Sequence, residues 1–161
     1  MSAETSIQAA PGTYLAFKVG PETYGLGILR VQEVIGMAEI TRVPQMTDAV
    51  RGVINLRGRV IPVFDLRVAF ATPRQDTEVT CIVIAQVDYG DRDVTVGFIA
   101  DEIHGVIEIT EGQMGPVPEF GKGRQAPFLI GMATTESGVV MALDIDKVMD
   151  DQDVLVAESV A

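Results

Sequence analysis

The sequence predicts an all-β protein made of two similar small barrels, and three observations point there. Short runs rich in Val, Ile, Phe and Thr recur along the chain, broken by Gly, Pro and Asp, the pattern of strands joined by turns. Little of the chain holds a helical period. The chain also repeats itself. A shift of 79 residues lays 52–70 on 131–149 without a gap, setting Gly52 on Gly131, Ile61 on Val140 and Phe64-Asp65-Leu66 on Leu143-Asp144-Ile145. A shift of 72 sets Gly25 on Gly97, Val31 on Ile103 and Val34-Ile35 on Val106-Ile107, and Ile40-Thr41 finds an echo in Ile109-Thr110. Two copies too small to bury enough alone are expected to share an interface.

Taken in order, residues 1–12 read as a flexible lead-in stopped by Pro11-Gly12. Tyr14–Val19 is a strand, Gly20-Pro21-Glu22 a turn and Thr23–Leu26 the return strand. Val31, Val34 and Ile35 carry a third segment toward Val43-Pro44, and Asp48–Val50 allows one helical turn before Gly52. Val60–Phe64 is apolar on both parities and should be buried on both faces. Pro62 inside it predicts an edge or a bulge, because proline donates no ladder hydrogen bond. Ala71–Asp76 is a polar connector. Ile82–Val87 and Val94–Ala100 form a hairpin around Asp88–Asp93, and the Pro- and Gly-rich residues 112–127 read as a loop. The tail 151–161 has Val154, Leu155, Ala157 and Val160 at a spacing that allows a weak amphipathic helix.

Composition excludes several functions. The net charge of −11 repels a phosphate backbone and an anionic leaflet, so neither nucleic acid nor membrane is an expected partner. Few aromatics also disfavour base stacking. The first residues lack a basic start and a long apolar core, so no signal peptide is expected. No apolar run approaches the roughly 20 residues of a membrane span, and a cytoplasmic protein is the expectation. Cys81, the single cysteine, lies in an apolar run and reads as a buried hydrophobe. His104, the single histidine, has no nucleophile or ligand set around it. No enzyme activity, metal or cofactor is expected. Asp65 and Asp144 fall at matching places after apolar strands, which predicts one turn or cap used twice.

The most informative stretch is Arg51–Arg67, two apolar runs around a cationic Arg57-Gly58-Arg59 turn. Arg51, Arg57, Arg59, Arg67 and Arg74 make a basic island in an acidic chain, which either steers an acidic partner or is neutralised by the protein's own acids. The copies diverge at charged positions: Arg57 aligns with Glu136, and Glu33 with Gly105. Halves that share a core pattern but differ in charge are expected to meet different partners.

Val50–Gly58 followed by Val60–Arg67 resembles the signature of CheW-like coupling proteins. Tyr24–Ile35, Pro118-Glu119-Phe120 and Phe128–Gly131 resemble the family's other signatures, and the likeness spans residues 14–150. The resemblance implies two SH3-like five-stranded β barrels with strands exchanged between them, and short helices at connections and at the C-terminus. It implies a chemotaxis adaptor, at receptor arrays on the inner face of the membrane, coupling the cytoplasmic helical tip of a chemoreceptor to the regulatory domain of the CheA histidine kinase. Other CheW-like domains in rings are further partners it implies. An adaptor for a different kinase pathway, controlling motility or developmental gene regulation, is the alternative. In the family the positions of Glu33, Arg57 and Val31 are tied to function. A salt bridge between Glu33 and Arg57 is expected, an Arg fork that fixes the turn and leaves donors free for a carboxylate. Around them the candidate partner-binding set is Gly52, Ile54, Asn55, Leu56 and Gly58, with Ile99, Ile103 and Val106 as second-copy counterparts.

Overall fold

A computed structural model describes residues 11–44, 48–88, 93–116 and 128–148. Its strands are β1 (Gly12–Val19), β2 (Glu22–Gly27), β3 (Val31–Gly36), β4 (Val50–Leu56), β5 (Arg59–Asp65) and β6 (Cys81–Asp88). They continue as β7 (Asp93–Ala100), β8 (Glu102–Ile109), β9 (Met114–Gly115), β10 (Leu129–Thr135) and β11 (Gly138–Leu143). Among the described residues helix is confined to the four-residue Leu66–Ala69 and to 3₁₀ turns at Ile28–Arg30, Glu111–Gln113 and Ile145–Lys147.

Two sheets form, ordered β8-β1-β2-β11-β10-β9 and β3-β6-β7-β5-β4. Each draws strands from both halves of the chain, so the strands are exchanged between the barrels. The repeat read from the sequence appears in the registers. Val63 of β5 lies parallel beside Gly97 of β7, as Ala142 of β11 lies beside Gly25 of β2. One bulge interrupts β3 at Gln32, and its counterpart interrupts β8 at His104. A second bulge falls between Val50 and Gly52 in β4, and again between Leu129 and Gly131 in β10. The Asp65 carboxylate accepts from the Arg67 N–H and that of Asp144 from the Asp146 N–H, so the predicted cap is indeed used twice.

Three apolar clusters result. Ile54, Ile61, Val63, Ile82, Ile84 and Ile99 fill the five-stranded barrel. Tyr14, Ile109, Ala133, Val140 and Ala142 fill the other. The largest cluster lies between the sheets, where Leu15, Phe17, Val19 and Leu26 meet Phe64, Val83, Val96 and Phe98. Alternate residues of the buried strands thus serve a barrel interior and the shared interface in turn, which is why those strands are apolar on both parities.

The structure corrects several local expectations. Gly12 already belongs to β1. The third segment ends as a strand at Gly36; beyond it Thr41 makes a two-hydrogen-bond bridge to Val53. Val50 opens β4, so only Asp48 and Ala49 turn. Residues 111–115 are a 3₁₀ turn and a short strand, not loop. Val60 is half exposed, because it stands at the start of β5 beside the exposed hairpin turn. Pro62 lies opposite Val53 with neither edge nor bulge. Val53 spends its N–H and C=O on Thr41, so Pro62 faces away from β4, one residue before the ladder to β7 begins at Val63. Its missing N–H is therefore not needed. Most of the 1–12 lead-in, the Tyr89–Arg92 tip, residues 117–127 and the tail fall outside the described residues.

Candidate functional site

The site sits where the five-stranded sheet closes on itself. β3 and β4 are its opposite ends, yet the Arg57 guanidinium at the β4–β5 tip donates to the Glu33 carboxylate on β3. Two local features make this possible. Arg57 and Gly58 both have positive φ, 53° and 88°, the tight hairpin turn whose twist matches the strands. Asn55 braces it, its Oδ1 accepting from the Gly58 N–H at 2.9 Å. On β3, the bulge at Gln32 shifts the register so that Glu33 pairs with Ile84. Gly52 admits the neighbouring segment at Thr41: at φ 146°, a Cβ there would stand 2.2 Å from the Thr41 carbonyl oxygen.

Arg57 is two-thirds exposed and Glu33 one-third. Such a pair contributes about 0–1 kcal/mol, so its weight lies in holding a guanidinium at the surface. Asn55 and Gly58 are exposed beside it, and Leu56 and Val31 are partly buried. Ile54 and Ile99 lie in the barrel interior, where they pack and present no surface. Ile103 packs on the shared interface, and Val106 is exposed on β8. The structure thus gathers Val31, Glu33, Gly52, Asn55, Leu56, Arg57 and Gly58 around one closure, while Ile103 and Val106 lie on a strand of the other sheet.

The basic island divides. Arg67 is fully buried, with Nε and Nη2 on Asp65 at 2.9 and 3.1 Å, Nη2 also on Asp76 at 2.8 Å and Nη1 on Asp101 at 3.1 Å. Burial alone would lower its pKa, but these three carboxylates outweigh burial and hold it above the ordinary arginine value. Arg51 bonds Asp65 and Asp76. Two of the five cations are therefore structural and neutralised, which leaves Arg57, Arg59 and Arg74 toward solvent. The partner carboxylates Asp76 and Asp101 went unnoticed in the sequence because they lie 9 and 34 residues from Arg67. Burial pushes the Cys81 thiol up to about 11, as suits a packed side chain. Among the described residues no helix is long and apolar enough to cross a membrane.

Two sister barrels with matched frames and unlike charge at their tips define a duplicated, strand-exchanged β module. Comparison with known proteins gives its family. A family model described as CheW-like domain matches residues 13–153. The chain is 33% identical over 148 residues to chemotaxis protein CheW of Klebsiella aerogenes, covering 92% of this chain and 87% of that one. It is 32% identical over 140 residues to chemotaxis protein CheW of Thermotoga maritima, covering 85% and 87%. Among solved structures it is similar to the scaffolding protein TtCheW of Thermoanaerobacter tengcongensis, with a TM-score of 0.76, 30% identity, and 88% and 94% of the two chains covered. The chain belongs to the CheW-like family and serves as a chemotaxis adaptor.

Proposed function

We propose that the protein is a non-catalytic coupler that joins the cytoplasmic helical tip of a chemoreceptor to the regulatory domain of the CheA kinase, in arrays at the inner face of the membrane. The observation that carries this reading is the Glu33–Arg57 closure. It holds a guanidinium at the exposed tip of one barrel, where the equivalent tip of the other carries Glu136. An exposed, charged and backbone-braced turn beside partly buried Val31 and Leu56 is suited to a helix that brings carboxylates and an apolar stripe. The opposite sign on the sister barrel lets the two ends of one molecule take different partners, the kinase domain or another CheW-like domain. Pull-down with a receptor tip and with the kinase regulatory domain tests it: a folded sample that captures neither overturns the reading. Arg57→Glu is expected to fold normally and lose receptor capture. Glu33→Arg combined with Arg57→Glu is expected to keep the fold and still fail, since the partner reads the sign of the tip.

A further inference from the structure

The chain crosses between the sheets twice, and each crossing is held by an ion pair. Ile28–Arg30 carries it from β2 to β3, and Asp101 from β7 to β8. At the first crossing the Arg30 guanidinium donates to Asp146 at 2.5 Å and to the Gln86 carbonyl at 2.8 Å. Asp146 also accepts from the Asp88 N–H at 2.8 Å, at the end of β6. At the second crossing Arg67 donates to Asp101, and Asp101 accepts from the Gly20 N–H at 2.6 Å, just beyond β1. The repeat sets Arg67 on Asp146 and Leu29 on Asp101, with Arg30 one residue further on. Gly20 and Asp88 end equivalent strands. One device thus occurs twice with its charges exchanged: the cation stands on the crossover in one copy and on the helical turn in the other.

We propose that Arg30 and Asp146 form a latch, the charge-inverted counterpart of Arg67 and Asp101, and that they are positioning residues fixing β3, which carries Glu33, against the end of the six-stranded barrel. The link is direct. The Val31 N–H that opens β3 bonds the Ile28 carbonyl within the latched turn, and Asp146 follows β11 of the other sheet. The two copies differ in burial. Arg67 is inaccessible and gathers three carboxylates, whereas Arg30 and Asp146 are 34% and 26% exposed. The first crossing is therefore the one that can open without unfolding the core. Its effect on receptor binding depends on the adaptor reading; the latch itself does not.

Amide hydrogen exchange on the intact chain tests it. Asp146→Arg is expected to speed exchange at Asp88 and Val31 by roughly five- to tenfold, the scale of one lost, partly exposed hydrogen bond, with β1 and β7 unchanged. Asp146→Asn keeps an acceptor for the Asp88 N–H but not the ion pair, and should free Val31 more than Asp88. The exchanged pair Arg30→Glu with Asp146→Arg offers the ion pair again but no aspartate acceptor for the Asp88 N–H; it should restore protection at Val31 and leave Asp88 fast. Unchanged exchange in Asp146→Arg, or an exchanged pair no better protected at Val31 than that single change, overturns the latch. Receptor-tip affinity measured alongside separates the two readings: a loosened crossing with unaltered affinity leaves the latch standing and counts against β3 as the receptor surface.

Discussion

The hairpins β4–β5 and β10–β11 have the same bulge, the same aspartate cap at their end and the same parallel register against β7 and β2. The entry of each aspartate is alike as well: Asp65 N–H bonds the Ala49 carbonyl and Asp144 N–H that of Phe128, both at 2.8 Å. Only the tips part. One is Arg57-Gly58, both at positive φ and braced by Asn55. The other is Glu136-Ser137, followed by Gly138 at φ 133° and braced by the Thr135 hydroxyl on the Gly138 carbonyl. The lesson is that packing holds the frame wherever side chains meet a barrel interior or the shared interface. The tips, which touch neither, are free to differ, and function has room there.

The sharpest break in the comparison lies just past the aspartate caps, where Arg67 and Asp146 stand at equivalent points. Arg67→Ala would take two of the hydrogen bonds that the buried Asp65 carboxylate accepts and leave it with Arg51 alone, and should cost about 3 kcal/mol. Asp146→Ala removes a partly exposed partner and should cost about 1 kcal/mol. Urea unfolding of both variants checks this; equal losses would mean that the two junctions are energetically alike after all.

Next in size is Gly52→Ala. The new methyl would meet the Thr41 carbonyl oxygen in a backbone conformation that L-residues avoid, so about 2–3 kcal/mol is expected, read from the same unfolding curves. Gly58→Ala, with open space around it at φ 88°, should lose about 1 kcal/mol. A larger loss at Gly58 than at Gly52 would show that the turn, and not the Thr41 bridge, limits the closure.

These positions also show what was legible. The strands and the two-copy frame could be read because apolar spacing is local and a repeat doubles the signal. Asp65 and Asp144 announced their cap by recurring after matching strands. The strand exchange came only through the family resemblance, since no local pattern says which strand pairs with which. The fate of Arg67 and Ile99 was hidden for the same reason. A buried arginine looks like a surface one until Asp76 and Asp101 are placed beside it, and a second-copy isoleucine looks like a groove residue until β7 is found at the centre of its sheet. Glu33 and Arg57 stood out because the copies differed there, and their pairing was expected once the family resemblance tied both positions to function.

A pH effect should be smaller, and Asp76 is the group to test. Burial would raise the Asp76 pKa, but hydrogen bonds from Arg67 and Arg51 overcome it and hold the carboxyl below its ordinary value. A depressed folded-state pKa means that its stabilisation is fully present above the unfolded value, near 4, and is lost as pH falls through the folded one. Stability should therefore slope downward below about pH 4, and Asp76→Asn should flatten that slope while lowering stability at neutral pH. A wild-type slope retained in Asp76→Asn would assign the acid sensitivity to other carboxylates.

The smallest change in stability is expected at the tips, where the two hairpins differ most. Arg57→Glu and Glu136→Arg exchange charges on exposed turns, and each should shift unfolding by at most about 0.5–1 kcal/mol. Their effects on binding should be unequal. Arg57→Glu puts two carboxylates at the closure with Glu33, and the turn then repels an acidic helix. Glu136→Arg changes a tip that has no Glu33 counterpart, because Gly105 stands at that position. Receptor-tip binding should therefore collapse in the first and survive in the second, and rising salt should weaken the wild-type interaction, as steering through exposed charge requires. If both variants bind alike, sign at the tip is irrelevant, and the difference between the hairpins would reflect turn geometry alone.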